Sequence, residues 1–423
     1  MSKLNSTLFL ILLLVMQVAG TVHASSFSYK GFVNQGFIIS GGNNYLGESK
    51  KGSFDFGEAG INFYYRPINR LYFSAQISTR NVGDHKSGEE DLRLDYGLLG
   101  LNLYSGNQYD ASLRLGRFKY FYGLYNDIQD ISSAIPGVMP PQIMYYEYVL
   151  PDLTIDGVQL NQSFRFDELG TVNFDMLYGK PAADEREFEE NLFNDFLRDY
   201  SPYSNAATGE VNSYDGLGAL RLQYLTPDNS LLIGYIHTVN DGTLSLTASN
   251  SNYWFNGVGD GYSDTLSVEY VSDVWTFTSE YRTRFIKQTN TLIFLPMNLT
   301  DSATAELRTE AYYFQFRYQL TQKLEGLFRY EAYFANKHDR DGAKWSSLSP
   351  ARQGKEHYQY SKDWVVGATY EFNDSFTLKS ELHLFDGSHL NYAAIYTGAT
   401  ENDINQGLDR YWNMFLVELT YSF

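Results

Sequence analysis

Between Leu113 and Asp127 the chain reads LRLGRFKYFYGLYND, and Arg114, Arg117 and Lys119 crowd this one short stretch. Guanidinium and ammonium groups hold anions or carboxylates through charge-assisted hydrogen bonds. Charge sorting is therefore the chemistry these residues could do. More cations recur at alternate positions of strand-like segments: Lys30, Arg80, Arg165, Arg221, Arg282, Arg284, Arg317, Arg329 and Lys379. Nearly as many acids fall on the same faces, namely Asp95, Asp175, Glu269, Glu280, Glu325, Glu331, Glu371, Glu381 and Glu418. Two arrangements stay open: a simple anion preference, or a transverse field between a basic wall and an acidic loop opposite.

Other chemistries find little support. There are no cysteines, so disulfides and thiolate metal sites are excluded. The histidines at 85, 237, 338, 357, 383 and 389 show no HExxH spacing, and no Gly-x-Ser-x-Gly motif occurs. No enzyme activity, cofactor or metal is expected. His383, beside Glu381, reads as a satisfied inner-wall residue, with a barrel hydrolase built on it as the rival. A net charge of −18 argues against nucleic acid as a partner.

The elements that must position these charges are strands. From Leu408 to Phe423, Trp412, Met414 and Phe415 begin a run in which Val417, Leu419, Tyr421 and Phe423 alternate with Glu418, Thr420 and Ser422. Strand side chains point alternately to opposite faces, so this segment has a greasy side and a wet side. About ten such residues cross a bilayer as a tilted strand. The pattern recurs at 27–40, 54–65, 70–81, 91–104, 108–119, 154–165, 171–180, 214–225, 230–239, 262–272, 274–286, 307–320, 323–335, 362–373, 375–386 and 409–423, sixteen strands in all. Two of them are irregular. The apolar set shifts phase in 91–104, as at a bulge near Gly97 or Gly100. Segment 230–239 is apolar on both faces, as expected where a wall meets a neighbouring subunit or a folded-in loop.

Short turns such as Arg66–Asn69, Thr226–Asn229 and Asn373-Asp374 alternate with long connections at 41–53, 82–90, 120–153, 181–213, 240–261, 287–306, 336–361 and 387–408. That sorting, with an even strand number, describes an antiparallel transmembrane β-barrel with short periplasmic turns and long outer loops. The 36 Tyr and 29 Phe suit its aromatic girdles. Lys3, the apolar run Leu8–Val15 and Val22-His23-Ala24 read as a signal peptide over 1–24, followed by a single barrel domain over 25–423. An arginine facing lipid near the midplane costs roughly 2–4 kcal/mol, so the charged faces must turn inward.

Sixteen strands enclose a lumen too wide for side chains to fill. The sparsely charged loop 120–153, with Ile135-Pro136-Gly137 and Pro140-Pro141, is the expected constriction. Loop 181–213 is acidic and carries Phe188, Leu192, Phe193, Phe196 and Leu197 at helical spacing, so a short amphipathic helix is expected there.

The stretch RLGRFKYFYGLYND, the Pro-rich loop after it and Thr154–Leu160 resemble the sixteen-stranded porins of Gram-negative bacteria. The likeness is to the branch that includes phosphate- and polyphosphate-selective porins, where a Gly-Arg-x-Lys strand enters the constriction loop. The resemblance implies that Arg117 and Lys119 join the pore's basic lining. It likens Phe423 to the terminal aromatic read by the barrel-assembly machinery, and it implies a homotrimer. The chain departs from that pattern at Phe118 and Tyr120-Phe121 and lacks an arginine cluster in the loop, so a phosphate-specific role does not carry over.

The resulting expectation is a bacterial outer-membrane channel, exported through the Sec pathway, for passive diffusion of small hydrophilic solutes or ions. Its selectivity would lie in Arg114, Arg117, Lys119, Arg80, Arg221, Arg282, Arg284, Arg317, Arg329, Glu280 and Glu331. Its remaining partners would be outer-membrane lipid and lipopolysaccharide. The alternative is a plugged barrel acting as a surface receptor or adhesin.

Overall fold

Alternation of apolar and polar residues becomes a two-sided wall in the computed structural model. In the segment Tyr360–Asn373, Trp364 and Val366 are about half exposed on the outside, whereas Ser361, Asp363 and Val365 are fully buried inside. The structure describes residues 26–82, 92–126, 135–141, 154–182, 208–213, 216–249, 253–392 and 407–423. The signal peptide, most of loop 120–153 and residues 183–207 of the acidic loop, with its expected short amphipathic helix, lie outside the described residues.

The strands are β1 (Ser26–Gly41), β2 (Phe56–Ile68), β3 (Leu71–Val82), β4 (Arg93–Ser105), β5 (Tyr109–Lys119), β6 (Thr154–Phe166), β7 (Gly170–Pro181), β8 (Thr208–Ser213), β9 (Leu217–Leu225), β10 (Leu231–Ser249), β11 (Tyr253–Val271), β12 (Trp275–Phe294), β13 (Leu299–Thr321), β14 (Leu324–Phe334), β15 (Tyr360–Asn373), β16 (Phe376–Asp386) and β17 (Tyr411–Ser422). Of these seventeen, β8 pairs only with the far end of β10, and β7 pairs directly with β9. The remaining sixteen form one antiparallel cylinder, closed where β1 meets β17 from Phe32↔Ser422 to Gly41↔Asn413. Closure leaves no unpaired edge around the wall, the only way a sheet satisfies its backbone in lipid. Phe423 helps to seal it. Its backbone exchanges two hydrogen bonds of 3.0 Å with Gly31, and its ring occupies the space a Cβ on Gly31 would need.

The short turns cap themselves. Asn373 accepts the backbone N–H groups of Ser375 and Phe376, and Asp228 accepts the Thr226 hydroxyl at 2.6 Å and the Ser230 N–H. Such side chains offer the backbone a turn in place of the ladder. Outside, register places aromatics in contact, as with Tyr330 and Trp364, whose rings lie 4.4 Å apart. Cross-strand pairs of this kind are the unit of sheet stabilisation.

Three sequence expectations need correction. Residues 240–261 and 287–306 are largely strand: the β12–β13 ladder runs unbroken from Trp275↔Tyr318 to Phe294↔Leu299, while β14 stops pairing with β13 at Glu310. The upper ends of β10–β13 therefore stand as a ribbon beyond the rim, which at ~3.3 Å per residue extends roughly 35 Å past the end of β14. Their Thr, Ser, Asn and Gly lack a lipid-facing apolar stripe, which is why they read as loop. Next, residues 208–213 of the acidic connection form β8, hydrogen-bonded to that ribbon. Finally, the irregularities of β4 fall at Asp95 and Leu103, which the ladders to β3 and β5 skip, and not at Gly97 or Gly100.

Candidate functional site: the inward loop and the charged wall

At the long-loop end of β5 the chain turns into the barrel. Gly116, Gly157 and Gly179 stand side by side across β5, β6 and β7. A Cβ on Gly157 would lie 2.2 Å from the Tyr178 carbonyl, so only glycine permits this close approach. Beyond it Phe118, Tyr120, Phe121, Tyr122 and Tyr125 are buried in one cluster with Ile155, Ile236 and Tyr313 of the inner wall. Ile236 belongs to the strand that reads apolar on both faces, and the folded-in loop is the reason.

Polar anchors bind this segment along the wall. The Tyr120 hydroxyl donates to the Gly218 carbonyl at 2.9 Å, the Leu124 N–H donates to Glu280 Oε1 at 3.0 Å, and Gln315 Nε2 donates to Tyr125 Oη at 3.0 Å. Residues 135–141 continue the path. Lys379 Nζ donates to the Ile135 carbonyl at 2.6 Å, and the Met139 N–H donates to Glu381 Oε2 at 3.1 Å. Val138 and Met139 then pack with Ile38, Met414 and Leu416, and with Tyr45 and Leu46 of the first long loop. The described parts of the loop thus follow the inner wall from β9 to β16.

Several of the wall's cations are paired with acids, and others are only stacked or hydrogen-bonded. Arg221 pairs with Asp175 at 2.9 Å, and its guanidinium lies 4.1 Å from the Phe121 ring centre. Arg282 lies 3.1 Å over the Tyr122 ring. Arg317 faces Glu325 at 3.5 Å. Arg329, fully buried, contacts Glu331 at 2.8 Å, Glu381 at 3.6 Å, Gln315 and the Met139 carbonyl. Glu280 accepts from Ser267 and Tyr313 as well as from Leu124. Arg114 donates to the Tyr72 hydroxyl at 2.9 Å, and Arg80 stands opposite Glu58 in register. Arg284 stands opposite Thr309 on the inner face, two residues beyond Arg282. Stacked or ion-paired guanidinium groups lose much of their pull on a passing anion.

Lys119 is buried in a 3.2 Å pair with Asp95. Arg117 corrects the sequence reading: it pairs with Asp156 at 3.0 Å, in register with Leu115 and Val158 on the outer face. Arg114 and Arg117 are three residues apart, so a regular strand cannot turn both inward, whereas Lys119 ends β5, where the chain leaves the wall, and reaches Asp95.

Sequence reading named Arg329, Glu331, Glu381 and His383 on inner faces but not Asp363, which joins them. His383 Nδ1 lies 2.6 Å from Asp363 Oδ2, and its Nε2 lies 3.4 Å from Glu381 Oε2. Ligand atoms of Glu331, Asp363 and His383 fall within 4.8 Å of one another, the one grouping of metal-ligating type among the described residues. With carboxylates on both ring nitrogens and Arg329 beside them, the arrangement is an ion-pair network that supports the loop tip. Only inward alternation on β14, β15 and β16 could have signalled it.

The sequence matches no protein-family model and no curated protein. Solved structures do match. OmpT of Vibrio cholerae, expressed in the outer membrane, aligns over 95% of this chain and 99% of its own at a TM-score of 0.54 and 11% identity. The outer-membrane channel DcaP of Acinetobacter baumannii aligns over 94% and 97%, also at 0.54 and 11%. The chain has the fold of the sixteen-stranded outer-membrane porins. OmpF of Salmonella typhi, in a complex with daunomycin, aligns over 94% and 97% at 0.51 and 14% identity. In the porin fold the short turns face the periplasm and the long loops face outward, and the β10–β13 ribbon of this chain stands at the long-loop end.

Proposed function

We propose that the protein is an outer-membrane porin whose water-filled lumen passes small hydrophilic solutes or ions by passive diffusion. The supporting observation is the loop that leaves β5, enters the barrel and is hydrogen-bonded along the wall to Glu280, Gln315, Lys379 and Glu381. A segment laid inside a wide cylinder sets its bore, so residues 120–153 are read as the constriction. Arg80, Arg114, Arg221, Arg282, Arg284, Arg317 and Lys119 are read as the charged lining, with Arg117 outside it, while the buried Glu280, Arg329 and Glu331 hold the inward loop behind it. Because Lys119, Arg221 and Arg317 are paired with acids, the reading favours weak ion selectivity. Export through the Sec pathway, removal of residues 1–24, contact with lipopolysaccharide and a homotrimeric assembly belong to the same proposal.

Recording from the purified protein in planar bilayers under a salt gradient tests it. Discrete conductance steps with a small reversal potential are expected, and a silent membrane would overturn the channel reading. One observation favours a plugged surface receptor instead: Tyr45 and Leu46 of the first loop pack on Val138 and Met139 of the inward loop, while a long ribbon projects outside. Silence combined with binding of a partner to that ribbon would establish it.

A further inference from the structure

On the inner wall near the periplasmic rim, β4 to β7 form a recess of about 330 Å³. Two in-register rows of short polar side chains line it. One row runs Ser112↔Asn161↔Asp175 and the next runs Asp110↔Ser163↔Asn173. The inward loop leaves from the other end of these strands, and among its described residues Phe121 reaches towards the recess by stacking on the Arg221 that pairs with Asp175.

The recess has three properties. Its carboxylates are neutralised, Asp110 by Arg165 and Asp175 by Arg221. Each carboxylate also accepts from a neighbour, Asp110 from Ser105 at 2.9 Å and Asp175 from Asn161 at 2.7 Å. Asp110 Oδ1 also takes the Gly106 N–H and is filled, whereas the two Asp175 oxygens each keep a second lone pair. Second, hydrogen-bonding capacity is unspent. Ser112, Ser163 and Asn173 make no side-chain hydrogen bond among the described residues, and the buried Asn161 Oδ1 has no partner there. Third, an apolar face lies one row further in. Tyr64 and Tyr72 are stacked at 5.7 Å, Tyr72 covers Gly100, and Arg114 holds its hydroxyl.

We propose that this recess binds a neutral, polyhydroxylated solute of mono- or disaccharide size on its way through the barrel. Hydroxyl groups donate and accept at once, as amide and serine side chains require, and a compensated site gives no advantage to an ion. The tyrosine pair would take the C–H face of a sugar ring. The volume lies within the usual range for small-molecule sites. The inference deepens the channel reading and rests on it.

The test is calorimetric titration of maltose into the full chain folded in detergent, beside bilayer conductance of the same preparation. Saturable binding is expected, weakened at least tenfold in the double variant Ser163→Ala, Asn173→Leu and unaltered in Arg117→Ala. Should the double variant fail to fold, Ser112→Ala alone should weaken binding about fivefold, the equivalent of one hydrogen bond. No maltose binding, equal affinity in the variants, or equally tight binding of sodium succinate would each overturn the proposal. Conductance without maltose binding defeats the subsite and leaves the channel, whereas binding without conductance defeats the channel reading alone.

Discussion

Met139 donates its backbone N–H to Glu381, and Gly137, two residues earlier, lies against the same carboxylate with no room for a Cβ. The tip of the inward loop is thereby clasped to β16 by one buried side chain.

Gly137→Ala should open the bore. The added Cβ would sit 2.1 Å from Glu381 Oε1, and φ of +87° is in the region that disfavours L side chains. Left-handed backbone costs roughly 1–2 kcal/mol for a residue with a Cβ. A larger unit conductance is expected in single-channel records. Unchanged conductance would mean the clasp does not set the bore.

Arg329→Ala should destabilise the barrel. The change leaves Glu331 and Glu381 buried without their cation, a loss of about 3–5 kcal/mol by analogy with broken buried pairs. The urea midpoint should fall, and adding Glu381→Gln should recover part of it. A midpoint equal to that of the parent would refute the role given to this network.

His389 opens the short helix His389–Tyr392 beyond the end of β16, and it should make this small outer cap acid-sensitive. Its Nδ1–H donates to the Tyr358 carbonyl at 2.8 Å, and its ring stacks on Tyr333. Burial pushes it down to about 4, against 6.5 for an open histidine. The folded cap therefore excludes the proton. Its packing is complete above pH 6.5 and weakens as the pH falls towards 4, by up to about 3 kcal/mol. Amide exchange over 387–392, corrected for intrinsic rates, should rise across that window. His389→Phe, which cannot titrate, should be flat.

Arg117→Ala should leave the reversal potential where it is, because the guanidinium lies on the outer face beside Asp156. Its partly exposed pair is worth about 1 kcal/mol or less. A shift towards cations would return Arg117 to the lining.

Tyr122→Leu should do the opposite. Removing the ring uncovers the Arg282 guanidinium, which now lies 3.1 Å above it. The reversal potential should move towards anions, and a null result would show that Arg282 does not face the solute path.

Alternation in segments such as Tyr360–Asn373 and Tyr411–Ser422 was enough to specify sixteen wall strands, their inward and outward faces and the sorting of turns from loops. That information is local: a period of two, bounded by Pro, Gly, Asn and Asp, survives without knowledge of neighbours. The low charge of loop 120–153 likewise announced a segment able to leave water. Which charges meet was decided elsewhere. Arg329 and Glu381, Arg221 and Asp175, or Lys379 and Ile135 come together only through register between distant strands and through the loop's path across them. The face of Arg117 and the bulge at Asp95 depend on a single skipped residue, which no periodicity encodes. The outward ribbon of β10–β13 was hidden because a strand in water has no need of an apolar face, and only its paired ladder reveals it.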